Sequence, residues 1–228
     1  MDFMKLLKSL EELLYELVSW VIFYPLTLWR ILIRPLTMLA YAERELQVEE
    51  VKQYDDAVSP PILLLISLGV LHAIQNVMTP ADVPTVPGML ADERNLLAFR
   101  AVAFSLFPLV FGLIQLKCRG ARVTRATFKP VFYSQCYAVV PFVIAVSLGL
   151  NLITLHHHWV LGILSGLMLL IVGFVWYAAV GSLWLAAGAR MHVIKAALIT
   201  LATLLCVLPL FFAIAALAGY TMSADAPR

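Results

Sequence analysis

The side chains best suited to chemistry are polar residues in two neighbouring apolar runs. His72, Gln75, Asn76 and Thr79 recur at spacings of three and four residues, so a helix carries them on one face. Arg100 lies in the next apolar run. At a rise of ~1.5 Å per residue it reaches about the depth of His72 if both runs cross a membrane as helices.

This layer has two interpretations. It is either a small polar cavity that binds an anionic headgroup or relays protons, or a set of interhelical hydrogen bonds that assembles a bundle. A third interpretation applies to Arg100 alone: its guanidinium extends to the headgroups of the outer leaflet. The candidate site is therefore His72, Gln75, Asn76 and Arg100.

Three consecutive histidines, residues 156 to 158, are the strongest metal-binding candidate, because imidazoles ligate transition metals. Adjacent helical residues point about 100° apart, however, and no nearby carboxylate or cysteine completes a coordination sphere. We therefore predict an external loop whose charge varies with pH, with no metal site and no cofactor.

Catalytic motifs are absent from the sequence. It contains no Walker A loop, GxGxxG, HExxH or GxSxG pattern, and its long apolar runs contain no Asp or Glu. The three cysteines form no CxxC pair and none lies in an external loop, which excludes a disulfide framework. We predict no catalytic residue and no enzymatic activity.

The elements that must position these residues follow from composition. Hydrophobic residues make up 62% of the 228 residues and charged residues 13%, unlike a soluble domain. Five continuous apolar runs reach the ~20 residues that a helix needs to cross the hydrocarbon core. They cover residues 59–79, 97–117, 130–153, 159–187 and 193–220. The sequence thus predicts an all-α integral membrane protein with a five-helix transmembrane domain over residues 59–220.

Orientation follows from the cations between the runs. Six Lys and Arg precede the first run and five separate the second from the third, whereas the loops on the opposite side hold one and none. By the positive-inside rule the N-terminus is cytoplasmic, and the short tail, residues 221–228, is external.

Residues 1–42 are expected to form amphipathic interfacial helices that precede the bundle. Apolar residues from Phe3 to Leu17 recur at helical spacing opposite a charged face. Residues 18–38 are interrupted by Pro25, Arg30 and Pro35, and Arg34 follows Arg30 by one turn. Arginine is costly in mid-bilayer, so we expect Arg30 and Arg34 to face headgroups, and favour interfacial or re-entrant helices over a sixth span. Residues 43–58 are acidic and predict a solvated cytoplasmic linker or a docking patch for a basic partner.

Tyr137 is followed four residues later by Pro141 in Cys-Tyr-Ala-Val-Val-Pro. With a cytoplasmic N-terminal region and five spans, this resembles the Yip (Ypt-interacting protein) family and its bacterial relatives over roughly residues 58–220. The resemblance implies a non-enzymatic protein of a bacterial inner membrane, linked to membrane organisation or trafficking. The Asp-Leu-Tyr-Gly-Pro pattern of eukaryotic members is absent, so their small-GTPase partners are not implied here.

Two functional hypotheses follow. The favoured one is a membrane-organising or adaptor subunit whose interfacial helices and cytoplasmic loops contact membrane lipids and a protein partner or a second copy of the chain. The alternative is a small transporter, lipid translocator or channel subunit that uses the layer around His72 and Arg100. Bacterial relatives are loosely called permeases, but no residue indicates transport, and none indicates nucleic-acid binding.

Overall fold

The structure is a computed structural model, and it describes residues 2–48, 53–78, 93–155 and 160–224. Every regular element among these residues is an α-helix, which confirms the predicted all-α class. The described part of the chain contains seven helices in this order: α1 (Asp2–Ile33), α2 (Pro35–Glu45), α3 (Pro60–Met78), α4 (Glu93–Cys118), α5 (Arg125–Leu155), α6 (Val160–Ala189) and α7 (Val193–Ala224).

Six of the described helices are long and apolar enough to cross a membrane. Five of them, α3 to α7, coincide with the predicted runs. The sixth is α1, whose apolar stretch is Leu7–Ile33. The protein is a helical membrane protein with several spans, and it offers one more candidate span than the five that the sequence predicted.

Helix α1 is long and continuous. It contains Pro25 and continues through this proline to Ile33. The break comes at Arg34, which leaves the helical conformation with φ −130° and ψ 61°, and Pro35 then opens α2. Proline is tolerated there because the first helical residues need no N–H donor. At ~1.5 Å per residue, α1 is a rod of about 48 Å.

Helix α5 lies at the centre of the bundle. Its middle section is almost fully buried, with Tyr137, Val140 and Phe142 no more than 1% exposed. Close contact with α6 rests on small residues: a Cβ added at Gly166 would lie 2.6 Å from the carbonyl oxygen of Gly149. Two polar residues of α5, Ser134 and Gln135, are 0% and 2% exposed and so face the bundle interior.

An aromatic layer fills the bundle between the predicted polar layer and the opposite end of α4. Ring centroids of neighbouring members lie 5.0 to 6.4 Å apart. The members are Phe104, Phe107, Phe111, Phe142, Tyr177 and Phe211. Three of them lie on α4 between Arg100 and Gln115, so this layer separates the polar side chains at the two ends of α4.

The end of α1 and the whole of α2 pack against the bundle. Ile31, Leu39 and Ala42 are fully buried in the main hydrophobic core. Thr27 Oγ1 accepts a hydrogen bond of 3.1 Å from the backbone N–H of Val58, just before α3. The last third of α1 is consequently part of the folded unit.

Candidate functional site

The predicted polar layer is assembled in the structure. Arg100 donates a hydrogen bond to Gln75 Oε1, and another guanidinium nitrogen lies 3.4 Å from His72 Nδ1. The Asn76 side-chain nitrogen lies 3.4 Å from His72 Nε2. Helices α3 and α4 thus bring His72, Gln75, Asn76 and Arg100 together, whereas Thr79 lies outside the described residues. We call this set the outer layer.

Hydrogen-bond chemistry gives the direction of the contact between Arg100 and His72. A guanidinium group carries only N–H donors, so His72 Nδ1 is the acceptor. The Asn76 side-chain nitrogen contacts the other ring nitrogen, His72 Nε2. No carboxylate lies within ion-pair distance of Arg100 among the described residues. The layer therefore presents one cation held by neutral groups, which suits an anion.

A second polar cluster lies at the opposite end of α4, and sequence analysis missed it. Arg119 contacts Glu43 through two guanidinium nitrogens, at 3.1 and 3.3 Å from the carboxylate oxygens. Both side chains are about four-fifths buried, at 22% and 21% exposure. The Arg119 guanidinium also lies 5.9 Å from the ring centroid of Trp184, within cation–π range.

Gln115 connects this ion pair to the bundle interior. With its amide oxygen toward Arg119, that oxygen accepts hydrogen bonds from Arg119 at 2.6 Å and from Trp184 Nε1 at 2.8 Å. The other end of the amide lies 3.0 Å from the Gln135 side chain. These contacts thus join α2, α4, α5 and α6. We call the residues that make them the inner cluster: Glu43, Gln115, Arg119, Gln135 and Trp184.

The sequence held a partial signal for the inner cluster. Gln115 and Arg119 are four residues apart and so share a helical face. Arg119 was counted among loop cations and Glu43 was assigned to the acidic linker. Their pairing across 76 positions depends on α2 folding back against the bundle, which local spacing does not encode.

The two arginines expected to face headgroups differ. Arg30 forms an ion pair of 2.8 Å with Asp56, whose other carboxylate oxygen accepts a hydrogen bond of 2.6 Å from the Tyr41 hydroxyl. The Tyr41 hydroxyl and Arg30 lower the pKa of Asp56 below its ordinary value, although partial burial opposes them. Arg34 is exposed at the junction of α1 and α2, and it has no ion-pair partner among the described residues. The prediction that Arg34 faces headgroups stays a prediction.

Several acidic side chains of the predicted linker have hydrogen-bond partners in the described part of the chain. Besides Glu43 and Asp56, Glu45 accepts a hydrogen bond of 3.0 Å from the Tyr54 backbone N–H. Tyr54 adopts the left-handed conformation, with φ 61°, and its hydroxyl donates to the Ala42 carbonyl. Burial and the neighbouring Tyr133 and Glu45 raise the pKa of the Tyr54 hydroxyl. The described part of this segment is folded onto α2, and residues 49–52 lie outside the description.

No cluster of three or more His, Cys, Asp or Glu side chains suited to a metal ion occurs in the described residues. The histidines at 156 to 158 lie outside them, so the interpretation as a pH-dependent loop stays a prediction. Cys118, Cys136 and Cys206 are free thiols.

No family model, curated protein or solved structure matches this chain. The resemblance to the Yip family therefore stays a prediction that rests on the residues quoted for it.

Proposed function

We propose that the protein is a non-enzymatic membrane-organising or adaptor protein that acts through α1, which lies along the cytoplasmic surface of a bacterial inner membrane. The main support is the surface of α1. Between Met4 and Val18 its described large apolar side chains are 43% to 76% exposed. The same stretch of helix carries five charged residues from Lys5 to Glu16. Lipid or a partner must cover this apolar area.

The packing of α1 supports an interfacial position over a sixth span. Only 11% of its apolar stretch is buried, whereas each of the other five candidate spans is at least 22% buried. Its contacts with the core begin at Trp20, and the residues before it leave the bundle. Charged residues spread over the first half of α1 favour headgroup level, because a charge in mid-bilayer is costly.

The attached end of α1 gives the exposed end a fixed direction. Tyr24 shares a hydrogen bond of 3.1 Å with Ser67, and Arg30 pairs with Asp56. Because α1 continues unbroken from Ile33 to Asp2, these contacts orient the whole rod. The favoured function is thus the presentation of an amphipathic helix to lipid or to a partner, with the bundle as its anchor.

The test is deletion of residues 2–17. Deleting all of residues 1–42 would remove Ile31, Leu39 and Ala42 from the core and would confuse loss of function with unfolding. We expect the shortened protein to keep the thermal midpoint of the bundle in mild detergent. It should lose the lipid or protein that co-purifies with the full chain, measured by native mass spectrometry.

Paired substitutions sharpen this test. Leu13→Gln with Leu14→Gln removes apolar area from α1, whereas Glu12→Gln leaves that area intact and serves as the control. We expect loss of the co-purifying lipid or partner in the first variant and retention in the control. Unchanged co-purification after both the deletion and the leucine substitutions would refute the proposal.

The alternative is a small transporter, lipid translocator or channel subunit, and one observation favours it. Arg100 lies within hydrogen-bonding distance of Gln75 and His72, and no carboxylate neutralises its charge among the described residues. The aromatic layer lies between this cation and the inner cluster, so flux would require aromatic side chains to move. Helix α1 supports the adaptor function without such a rearrangement.

Flux measurements in proteoliposomes distinguish this alternative. Arg100→Ala and His72→Ala should abolish uptake of an anion or transfer of an anionic lipid. Ser105→Ala is the control, because the Ser105 hydroxyl donates to Ala101 within α4 and lies outside the outer layer. Wild-type protein without flux of chloride, phosphate or phosphatidylglycerol would count against the alternative.

A further inference from the structure

A small void lies in the bundle beside the inner cluster, on the cytoplasmic side of the aromatic layer. Its volume is about 10 Å³, and α4, α5, α6 and α7 all contribute to its walls. The polar side chains that line it are Gln115, Gln135, Thr200 and Thr203, and Phe111 and Leu185 supply apolar walls. A void of roughly 10–15 Å³ is the smallest that accommodates one water molecule.

Two of the polar side chains around this void have unsatisfied atoms. Thr200 is 1% exposed and Gln135 is 2% exposed. Thr200 Oγ1 and Gln135 Oε1 have no hydrogen-bond partner in the described part of the chain. An unsatisfied buried polar atom costs about 1–3 kcal/mol, so two at one void indicate a ligand that hydrogen-bonds to both.

Gln135 keeps one unsatisfied polar atom in either orientation of the Gln115 and Gln135 amides. If Gln135 donates to Gln115, its oxygen lacks a partner. If Gln115 turns its oxygen toward Arg119 and Trp184, its amide nitrogen faces Gln135. The Gln135 oxygen must then accept from Gln115, and the Gln135 nitrogen has no partner. Either way one polar atom of Gln135 has no protein partner.

We propose that this void binds a water molecule that bridges the Gln135 amide on α5 and the Thr200 hydroxyl on α7. Water fits because it both donates and accepts, which satisfies either orientation of Gln135 and the rotatable Thr200 hydroxyl. Thr203 Oγ1 donates to the Ile199 carbonyl at 2.7 Å and still has a lone pair for a third bond. The volume excludes an organic ligand, and no carboxylate lines the void to favour a cation.

The sign of one substitution distinguishes a bound water from a dry void. Thr200→Val keeps the shape of the side chain and removes its hydroxyl. If the void is dry, the substitution removes an unsatisfied group, and the thermal midpoint in detergent should stay the same or rise. If water bridges the two side chains, the midpoint should fall, and adding Gln135→Leu should lower it by less than Gln135→Leu does in the wild-type background.

A direct measurement needs no variant and therefore does not depend on the variants folding. X-ray radiolysis converts bound water into hydroxyl radicals that oxidise adjacent side chains, and mass spectrometry locates the products. Phe111 lines the void, whereas Phe142 is equally aromatic, 1% exposed and absent from its walls. We expect oxidation of Phe111 several-fold above that of Phe142 in wild-type protein. Equal oxidation of the two rings, or a thermal midpoint that stays the same or rises in Thr200→Val, would overturn the proposal.

Discussion

The ion pair between Glu43 and Arg119 should contribute measurably to stability, because it ties α2 to the end of α4. Two guanidinium nitrogens contact the carboxylate, and the two side chains are 21% and 22% exposed. Breaking a fully buried pair costs about 3–5 kcal/mol, and a hydrogen bond to a charged group contributes about 1.5–3 kcal/mol. Because this pair is partly exposed, we expect Glu43→Gln to lower the unfolding free energy by about 2 kcal/mol.

A double-mutant cycle isolates the pair from other effects of each substitution. With Arg119→Gln as the second variant, we expect a coupling energy of about 1–2 kcal/mol, measured by equilibrium unfolding with SDS in mixed micelles. The chain offers a matched control in Arg30 and Asp56, whose side chains are 38% and 60% exposed. That pair should couple by less than about 1 kcal/mol. A coupling energy for Glu43 and Arg119 no larger than that of the control would refute the reasoning.

Three further predictions follow from single contacts. The lowered pKa of Asp56 means that its carboxylate stabilises the fold above its ordinary pKa of about 4, and that this contribution disappears as pH falls through the lowered value. The thermal midpoints of wild type and Asp56→Asn should therefore converge in acid, and midpoints that diverge as pH falls would contradict this. Gly166→Ala should lower the unfolding free energy by about 1–3 kcal/mol, because its Cβ would lie 2.6 Å from a carbonyl oxygen of α5. The control is Gly69→Ala, whose Cβ would have open space around it. It should leave the unfolding free energy unchanged or raise it in the same assay. Tyr137→Phe should lower the unfolding free energy by about 1 kcal/mol, because the fully buried hydroxyl donates a hydrogen bond of 2.6 Å to the Val58 carbonyl; an unchanged value would mean that this bond contributes nothing.

The spans were predictable because each is encoded by a local property. A continuous apolar run of about 20 residues identifies a helix in a membrane without any knowledge of its neighbours. The contact between His72 and Arg100 was predictable for a related reason. When helices cross the same membrane, the rise per residue gives the depth of each side chain in that membrane. The geometry of α3 and α4 agrees with that depth argument.

The N-terminal region was harder to predict because its structure depends on contacts with distant residues. Helix α1 continues through Pro25, and beyond it Thr27 Oγ1 accepts a hydrogen bond from the backbone of Val58, 31 positions away in the chain. The inner cluster was missed because Glu43 and Arg119 each lie in a segment that appears solvated in the sequence. Such pairs become visible only when the packing of α2 is known.

The position of α1 is the central claim, and the sidedness of its first turn tests it most directly. We would place a single cysteine at Met4, which is 73% exposed, in a background with Cys118→Ala and Cys206→Ala. Cys136 is fully buried and can remain. We expect a membrane-impermeant maleimide to label Met4→Cys in inside-out vesicles but not in right-side-out vesicles. Labelling from the external side would show that α1 crosses the membrane as a sixth span and would contradict an interfacial position of α1.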